Sequence, residues 1–273
     1  MFSIIGEIWR GRDLMRELVA KDIKLRYSRP MLGFFWAFIL PFATAVVFYF
    51  IFSIVLRAKT EEAPFFVYLM SAIFPWRFFQ DSLCSATSSL MDNKGFLREA
   101  RFPAYFIPLS VVAANAVNFL PSLAILIVTA LIFMKGMSAF IVFLPLVFVL
   151  HALITAGLAI ILSLLYLKWR DVKFILEAGL LLLFYLSPAV YSVSLIKTAL
   201  PAWGFSLFIY NPLTGILNLY RVALLKGFYG HIAGDVSLGS MIAVPVIFSV
   251  LVVGFCCHYY KINKNTINDH LSY

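Results

Sequence analysis

Apolar and polar residues follow one another along this chain in long blocks. Six apolar runs lie roughly at Gly33 to Leu56, Phe65 to Leu90, Ala104 to Met134, Ser138 to Leu167, Phe174 to Val193 and Leu238 to Tyr260, separated by short polar punctuation. A hydrocarbon layer about 30 Å thick takes about 20 apolar residues per helix, and inside it a helix satisfies its own backbone groups. The pattern predicts an all-α polytopic membrane protein, with six transmembrane helices in a domain over residues 31–273.

Residues 1–30 read differently. In "DLMRELVAKDIKLRY", Asp13 to Tyr27, a turn of about 100° per residue puts Leu14, Leu18 and Leu25 on one line with Met15 and Val19 beside it. Arg16, Glu17, Lys21 and Lys24 take the opposite face, which predicts an amphipathic helix lying along the cytoplasmic leaflet. Glu17 and Lys21 can pair on the polar side; Asp22 and Arg26, also four apart, intrude on the apolar side, as local helix support or as a contact with a partner protein. Ser28-Arg29-Pro30 ends the helix, because the residue before proline avoids the helical region.

Two linkers carry structure of their own. "MDNKGFLREARFPAYF", Met91 to Phe106, offers Asp92 and Asn93 as helix caps, a short helical run at about 92–102, and Pro103 to stop it. A charged helix this short is marginal alone in water, so a docking partner would stabilise it. The stretch from Ser194 to Gly230 is apolar enough for a seventh span, but Asn211-Pro212 interrupts it. Two short helices at about 195–226 that dip in from the outer face and return fit it better, provided protein or water satisfies the irregular backbone.

Composition agrees with the blocks: 63% of the 273 residues are hydrophobic and 13% charged, with mean hydropathy +0.95. The net charge of +9 raises the question of nucleic acid, which the placement of the cations answers. Fifteen of the 22 Lys and Arg flank the spans on one side, six lie on the other, and Arg77 falls within a span. The positive-inside rule then puts both termini in the cytoplasm, and the basicity is topological. The charged, amphipathic start is unlike a cleavable signal, so the N-terminus is expected to stay uncleaved. Cys84, Cys256 and Cys257 all fall inside predicted spans, with neither disulfide nor zinc spacing.

The chemistry is sparse. No G-x-x-x-x-G-K-[ST] phosphate cradle, H-E-x-x-H or G-x-S-x-G motif occurs in these residues, so the chain is expected to bind no cofactor or metal of its own. Within the second run Arg77 and Asp81 lie one turn apart near mid-membrane, where an isolated charge costs several kcal/mol; an internal or subunit-interface ion pair is the plainer reading, a substrate contact the sharper one. His151, Asn115 and Asn118 are expected to hydrogen-bond between helices. Aromatic residues make up 17% of the chain, and Phe34, Trp36, Phe38, Phe42 and Tyr49 crowd the first span. Lipid contact is their ordinary role, but apolar sugar faces can also slide on such rings, which makes these five the candidate lining of a glycan path.

Four stretches taken together resemble permeases of ABC transporters in the type-2 polysaccharide-export class, which move O-antigen, capsule or teichoic-acid chains. They are "RELVAKDIKLRYSRPMLGFFWAFILP", "NKGFLREARFP", "YLKWRDVKFILEAGLLLLFYLSPAVYS" and "YNPLTGILNLYRVALL", in that order along nearly the whole chain. The resemblance implies a homodimer in the bacterial inner membrane that carries two copies of a separate P-loop ATPase, with ATP-Mg on that partner. It further implies that Asn93, Lys94, Phe96, Leu97, Arg98, Glu99 and Arg101 form the coupling helix, and that Arg16, Asp22, Lys24 and Arg26 belong to the interface helix. Pro188, Asn211, Pro212 and Gly215 would belong to the outer gate, and Arg170-Asp171 would match the family's pair at the inner end of the fifth span. Arg77 departs from a position often uncharged in relatives. Export of a lipid or drug by the same architecture is the alternative reading, and a membrane scaffold without transport the second.

Overall fold

A computed structural model describes residues 6–7, 9–27, 32–57, 63–99 and 102–272, with side chains at all of them except 98, 99, 194 and 264–272. Among the described residues the secondary structure is helical. Helix α1 covers Arg12–Tyr27. A short 3₁₀ turn, Gly33–Phe35, opens α2, Trp36–Phe48, which continues as a π-helical segment, Tyr49–Val55. Then come α3, Phe65–Asp92, and the short α4, Lys94–Glu99. Helix α5, Phe106–Phe133, is followed by a 3₁₀ turn at Ala139–Phe143 and by α6, Leu144–Lys168. Helix α7, Val172–Tyr185, precedes four short helices: α8, Val193–Ala199; α9, Ala202–Ile209; α10, Pro212–Leu224; and α11, Phe228–Ile232. The chain closes with α12, Leu238–Ser272.

Among the described residues, four helical stretches are long and apolar enough to cross a membrane: Gly33–Val55, Phe106–Phe133, Ala139–Lys168 and Leu238–Asn263. Helix α3 matches them in length but is the packed centre of the molecule, with Val67, Tyr68, Met70 and Ala86 fully buried against α5, α6 and α10. Prolines 41, 75, 121 and 245 sit inside helices, which neighbouring helices make tolerable. The fifth apolar run is helical only from Val172 to Tyr185. At about 1.5 Å per residue that is about 21 Å, and the chain turns at 186–189, where Ser187 precedes Pro188.

The Ser194 to Gly230 stretch is broken where its sequence says it should be. Asn211 caps α10 by accepting a hydrogen bond from the Leu213 N–H at 3.0 Å, and Pro212 occupies the first turn, where a missing N–H costs nothing. Gly227, at φ +80°, reverses the chain between α10 and α11 in a left-handed conformation that suits glycine. Helix α10 has every residue from Leu213 to Leu224 buried, and its 13 residues reach about 20 Å, short of a bilayer core.

Among the described residues two large apolar clusters, and a small third of Ala72, Ala189 and Leu217, hold the helices together. The larger gathers residues of α3, α5, α6 and α10 with the flanking turns. The smaller joins Leu18 of α1, Leu90 of α3, Phe106 of α5, Leu164 of α6 and Tyr260 of α12, and Leu97 of α4 packs on it. Five long elements therefore converge at the end of the molecule that bears the short basic helix.

Candidate functional site

The first constellation is at that convergence. Asn93 ends α3: its N–H donates to the Ser89 carbonyl at 3.1 Å, its Nδ2 to the same oxygen at 2.9 Å, and its carbonyl accepts from Leu97 N–H, starting α4. The Asn93 Oδ1 left over accepts from Lys21 Nζ at 2.8 Å, and the same ammonium lies 5.2 Å from the centroid of the Phe96 ring. Phe96 leans on Phe102, which meets Phe106 edge to face. Lys94 is half-buried and Leu97 is packed into the smaller cluster. Helix α1 is thus fastened to α4 by a hydrogen bond and a cation on a ring. The side chains of Arg98 and Glu99, and Arg101 altogether, lie outside the described residues.

The rest of α1 climbs along α5. Asp22 accepts from the Ser110 hydroxyl at 3.2 Å, and Tyr27 donates to Asn118 Oδ1 at 3.1 Å. Burial pushes the Asp22 carboxyl above its ordinary value, outweighing the Ser110 hydrogen bond and the nearby Lys21 and Arg26 charges. Arg16 pairs with Asp13 at 3.7 Å on the exposed side, and Lys24 and Arg26 are exposed. Asp22 and Arg26 do not form an ion pair within 4.0 Å; the carboxylate turns to α5 instead.

Where α1, α2, α3 and α5 meet, a cavity of about 150 Å³ opens. Its walls include Arg26, Trp36, Arg77, Asp81, Asn115 and Asn118. Arg77 and Asp81 share this cavity, but among the described residues they are not in contact within 4.0 Å; Asp81 sits in the field of both Arg77 and Arg26. Asn115 donates to Ser85 Oγ at 3.1 Å, and Asn118 Nδ2 is buried with no partner among the described residues. The cavity lies beside Trp36 to Pro41, no more than about 12 Å along the first span from Gly33. Sequence spacing put Arg77 and Asp81 at the middle of the second run; the packing sets them beside the opening turns of the first.

The five aromatic candidates of the first span are all substantially exposed, from 36% for Trp36 to 60% for Phe42. Phe34 and Phe38 meet edge to face, Trp36 faces the cavity, and Tyr49 packs on Phe66 and Phe133 where the helix widens to π geometry. Over the apolar window of this span only 6% is buried, against 28% in each of the other three long apolar helices. Arg170 lies 5.8 Å from the Tyr166 ring centroid, and Asp171 precedes α7 at its cap position.

The outer-gate candidates centre on a residue that sequence reading treated only as one cation among others. Arg221 is fully buried, its guanidinium carbon 3.6 Å from the centroid of the Tyr68 ring. Its Nε donates to Ser71 Oγ at 3.4 Å, Nη1 to Asn218 Oδ1 at 3.4 Å and Nη2 to the Ala189 carbonyl at 3.3 Å. Tyr68 in turn donates to the Tyr191 carbonyl at 2.9 Å. One arginine therefore ties α10, α3 and the turn that holds Pro188. Gly215 serves close packing: a Cβ there would stand 2.6 Å from Pro245 Cγ and 3.1 Å from the Met241 carbonyl of α12. Beside Arg221 in sequence, Tyr220 meets His151, which also sits against Phe78 and Phe79, and the Tyr220 hydroxyl is 3.5 Å from the His151 Nδ1. The signal for Arg221 was an arginine with apolar neighbours on all sides in "NLYRVALL".

Similarity to known proteins follows this architecture from α1 to the outer helices. Residues 13–225 match the family model described as ABC-2 type transporter. The O-antigen export system permease protein RfbA of Myxococcus xanthus is 29% identical over 248 residues, covering 90% of this chain and 92% of that protein. The protein of the same name from Klebsiella pneumoniae is 30% identical over 218 residues, 79% of this chain and 81% of its own length. A multi-pass helical membrane protein matched over these lengths, from the helix that grips Asn93 to the one that carries Arg221, belongs to the ABC-2 type transporter family.

Proposed function

We propose that this chain is the membrane subunit of an ATP-driven exporter that moves a polysaccharide, O-antigen-like and carried on a lipid, across the bacterial inner membrane. The observation that carries the reading is its similarity, over nearly the full length of both chains, to a protein named as an O-antigen export permease. In this reading the subunit crosses the membrane six times, α3 and the α7 region supplying the spans beyond the four long apolar helices. Both termini are cytoplasmic, because the cations crowd that side.

Two copies of the chain would form the conduit and two separate P-loop ATPase subunits, with their ATP-Mg, would drive it. Helix α4, with Arg98 and Arg101 at and beyond its end, is the handle that each ATPase grips, and α1 is the splint beside it. ATP-driven closure of the ATPases pushes α4; α3 and α1 are stiff and fastened to it, so the push tilts the spans. A long glycan cannot be enclosed and flipped, so it passes along a conduit whose outer mouth is set by α8 to α10. Reversing charge at Arg98 and Arg101 tests this: co-purification of the ATPase and export of glycan should both fall, and persistence of both overturns the coupling assignment.

A further inference from the structure

The coupling assignment at α4 takes no residue from the cavity between α1, α2, α3 and α5, and the chemistry of that cavity is specific. Its polar wall presents two guanidinium groups, Arg26 and Arg77, both exposed, against one carboxylate, Asp81. The lining residues described therefore carry one net positive charge. Asn118 adds an amide donor that has no partner among the described residues. The remaining wall is apolar, with Trp36, Leu40 and Phe74 among its residues. A site with cationic donors at one end and hydrocarbon at the other matches a lipid headgroup better than a soluble anion.

Size and depth narrow the ligand. A volume of about 150 Å³ leaves room for a phosphoryl group with its ester oxygens. The cavity adjoins the first turns of the first span, within about 12 Å of Gly33 and beside Arg26 and Tyr27 of the amphipathic helix, in the first half of that span. One net positive charge is balanced by a monoanionic phosphodiester.

We propose that this cavity holds the phosphodiester headgroup of one monoanionic phospholipid, with Arg77 and Arg26 on its oxygens and the acyl chains lying along the exposed face of α2. The lipid would bridge α1 to the first span, and the assignment does not depend on what cargo the permease carries. Native mass spectrometry of the full chain released from nanodiscs of mixed phosphatidylglycerol and phosphatidylcholine tests it. Wild type should retain one phosphatidylglycerol per chain in preference to phosphatidylcholine. Arg77→Gln, an exposed site where folding is not at stake, should weaken that retention roughly fivefold, the effect of one interfacial charge. Arg77→Lys should fall between, since it keeps charge but loses the planar fork. Arg16→Gln, about three turns away along α1 and outside the cavity wall, should change nothing. Equal retention of the two lipids, or undiminished phosphatidylglycerol on Arg77→Gln, overturns the proposal. Displacement of the lipid by millimolar inorganic phosphate overturns it too, by showing a site for phosphate alone.

Discussion

Lys21 of α1 donates to Asn93 at 2.8 Å while its ammonium rests 5.2 Å from the Phe96 ring, so one side chain fastens the amphipathic helix to the short basic one. Both partners of that hydrogen bond also do local work. Asn93 closes α3 through Ser89, and Lys21 is on the polar face that the amphipathic pattern of α1 leaves for water. A contact of this kind transmits displacement without adding much stability, because an exposed hydrogen bond contributes only about 0.5–1.5 kcal/mol.

Lys21→Met should therefore separate coupling from folding. Thermal stability in detergent should change by no more than about 1 kcal/mol, within the range of a single exposed contact. Glycan export per ATP hydrolysed by the assembled complex should fall, and unchanged coupling would remove Lys21 from the force path.

Gly215→Val should destabilise the bundle. The added side chain meets the rigid Pro245 ring at 2.6 Å and the Met241 carbonyl at 3.1 Å, and neither can turn aside. Overpacking of this kind costs about 1–3 kcal/mol, readable as a lowered unfolding midpoint. Gly230→Ala is the control, since nothing stands within 4 Å of a Cβ there.

Arg221→Leu should cost more than any exposed cation. It leaves the Ala189 carbonyl, Ser71 and Asn218 without their guanidinium donor, at about 1–3 kcal/mol for each buried group left unpaired. Arg221→Lys should rescue only part of this, because an ammonium cannot serve three directions and stack on Tyr68 together. Chemical denaturation of both variants beside Arg16→Gln, which should stay within about 0.5 kcal/mol of wild type, checks the ranking.

The packing of α1 on α5 should tighten as the pH falls. Burial raises the Asp22 carboxyl in the packed state above its ordinary 3.8, so between the two values the packed form holds a proton that the detached helix does not. Protonation therefore favours packing in that window, and the advantage is lost as the pH rises through the packed-state value. Hydrogen exchange of the α1 amides, corrected for intrinsic rates, should slow on acidification. Asp22→Asn keeps a polar partner for Ser110 without the charge and should abolish the dependence.

The apolar blocks, the amphipathic α1 and the short helix after the second run are legible in the sequence, because each follows from local periodicity and from caps within a few residues. Asn211-Pro212 announced its break for the same reason: a proline at the first turn and a side-chain cap are local chemistry. The four resembling stretches carried the family. What sequence could not supply was which groups meet. Arg77 and Asp81 are one turn apart on α3, yet they line a cavity with Arg26, because α1 climbs α5 through Asp22 and Tyr27. Arg221 counted as one more outer cation until α10 folded inward and set it on Tyr68, 153 positions back along the chain. The fifth run reads as one apolar block from Phe174 to Val193, and only the packing shows that its helix stops at Tyr185 ahead of the turn that Arg221 holds. Hydropathy depends on each residue and its near neighbours, so it determined that this chain lives in a bilayer and where its helices lie. Burial and pairing depend on residues brought together from distant segments, and only the tertiary packing decided which charges lie inside and what they touch.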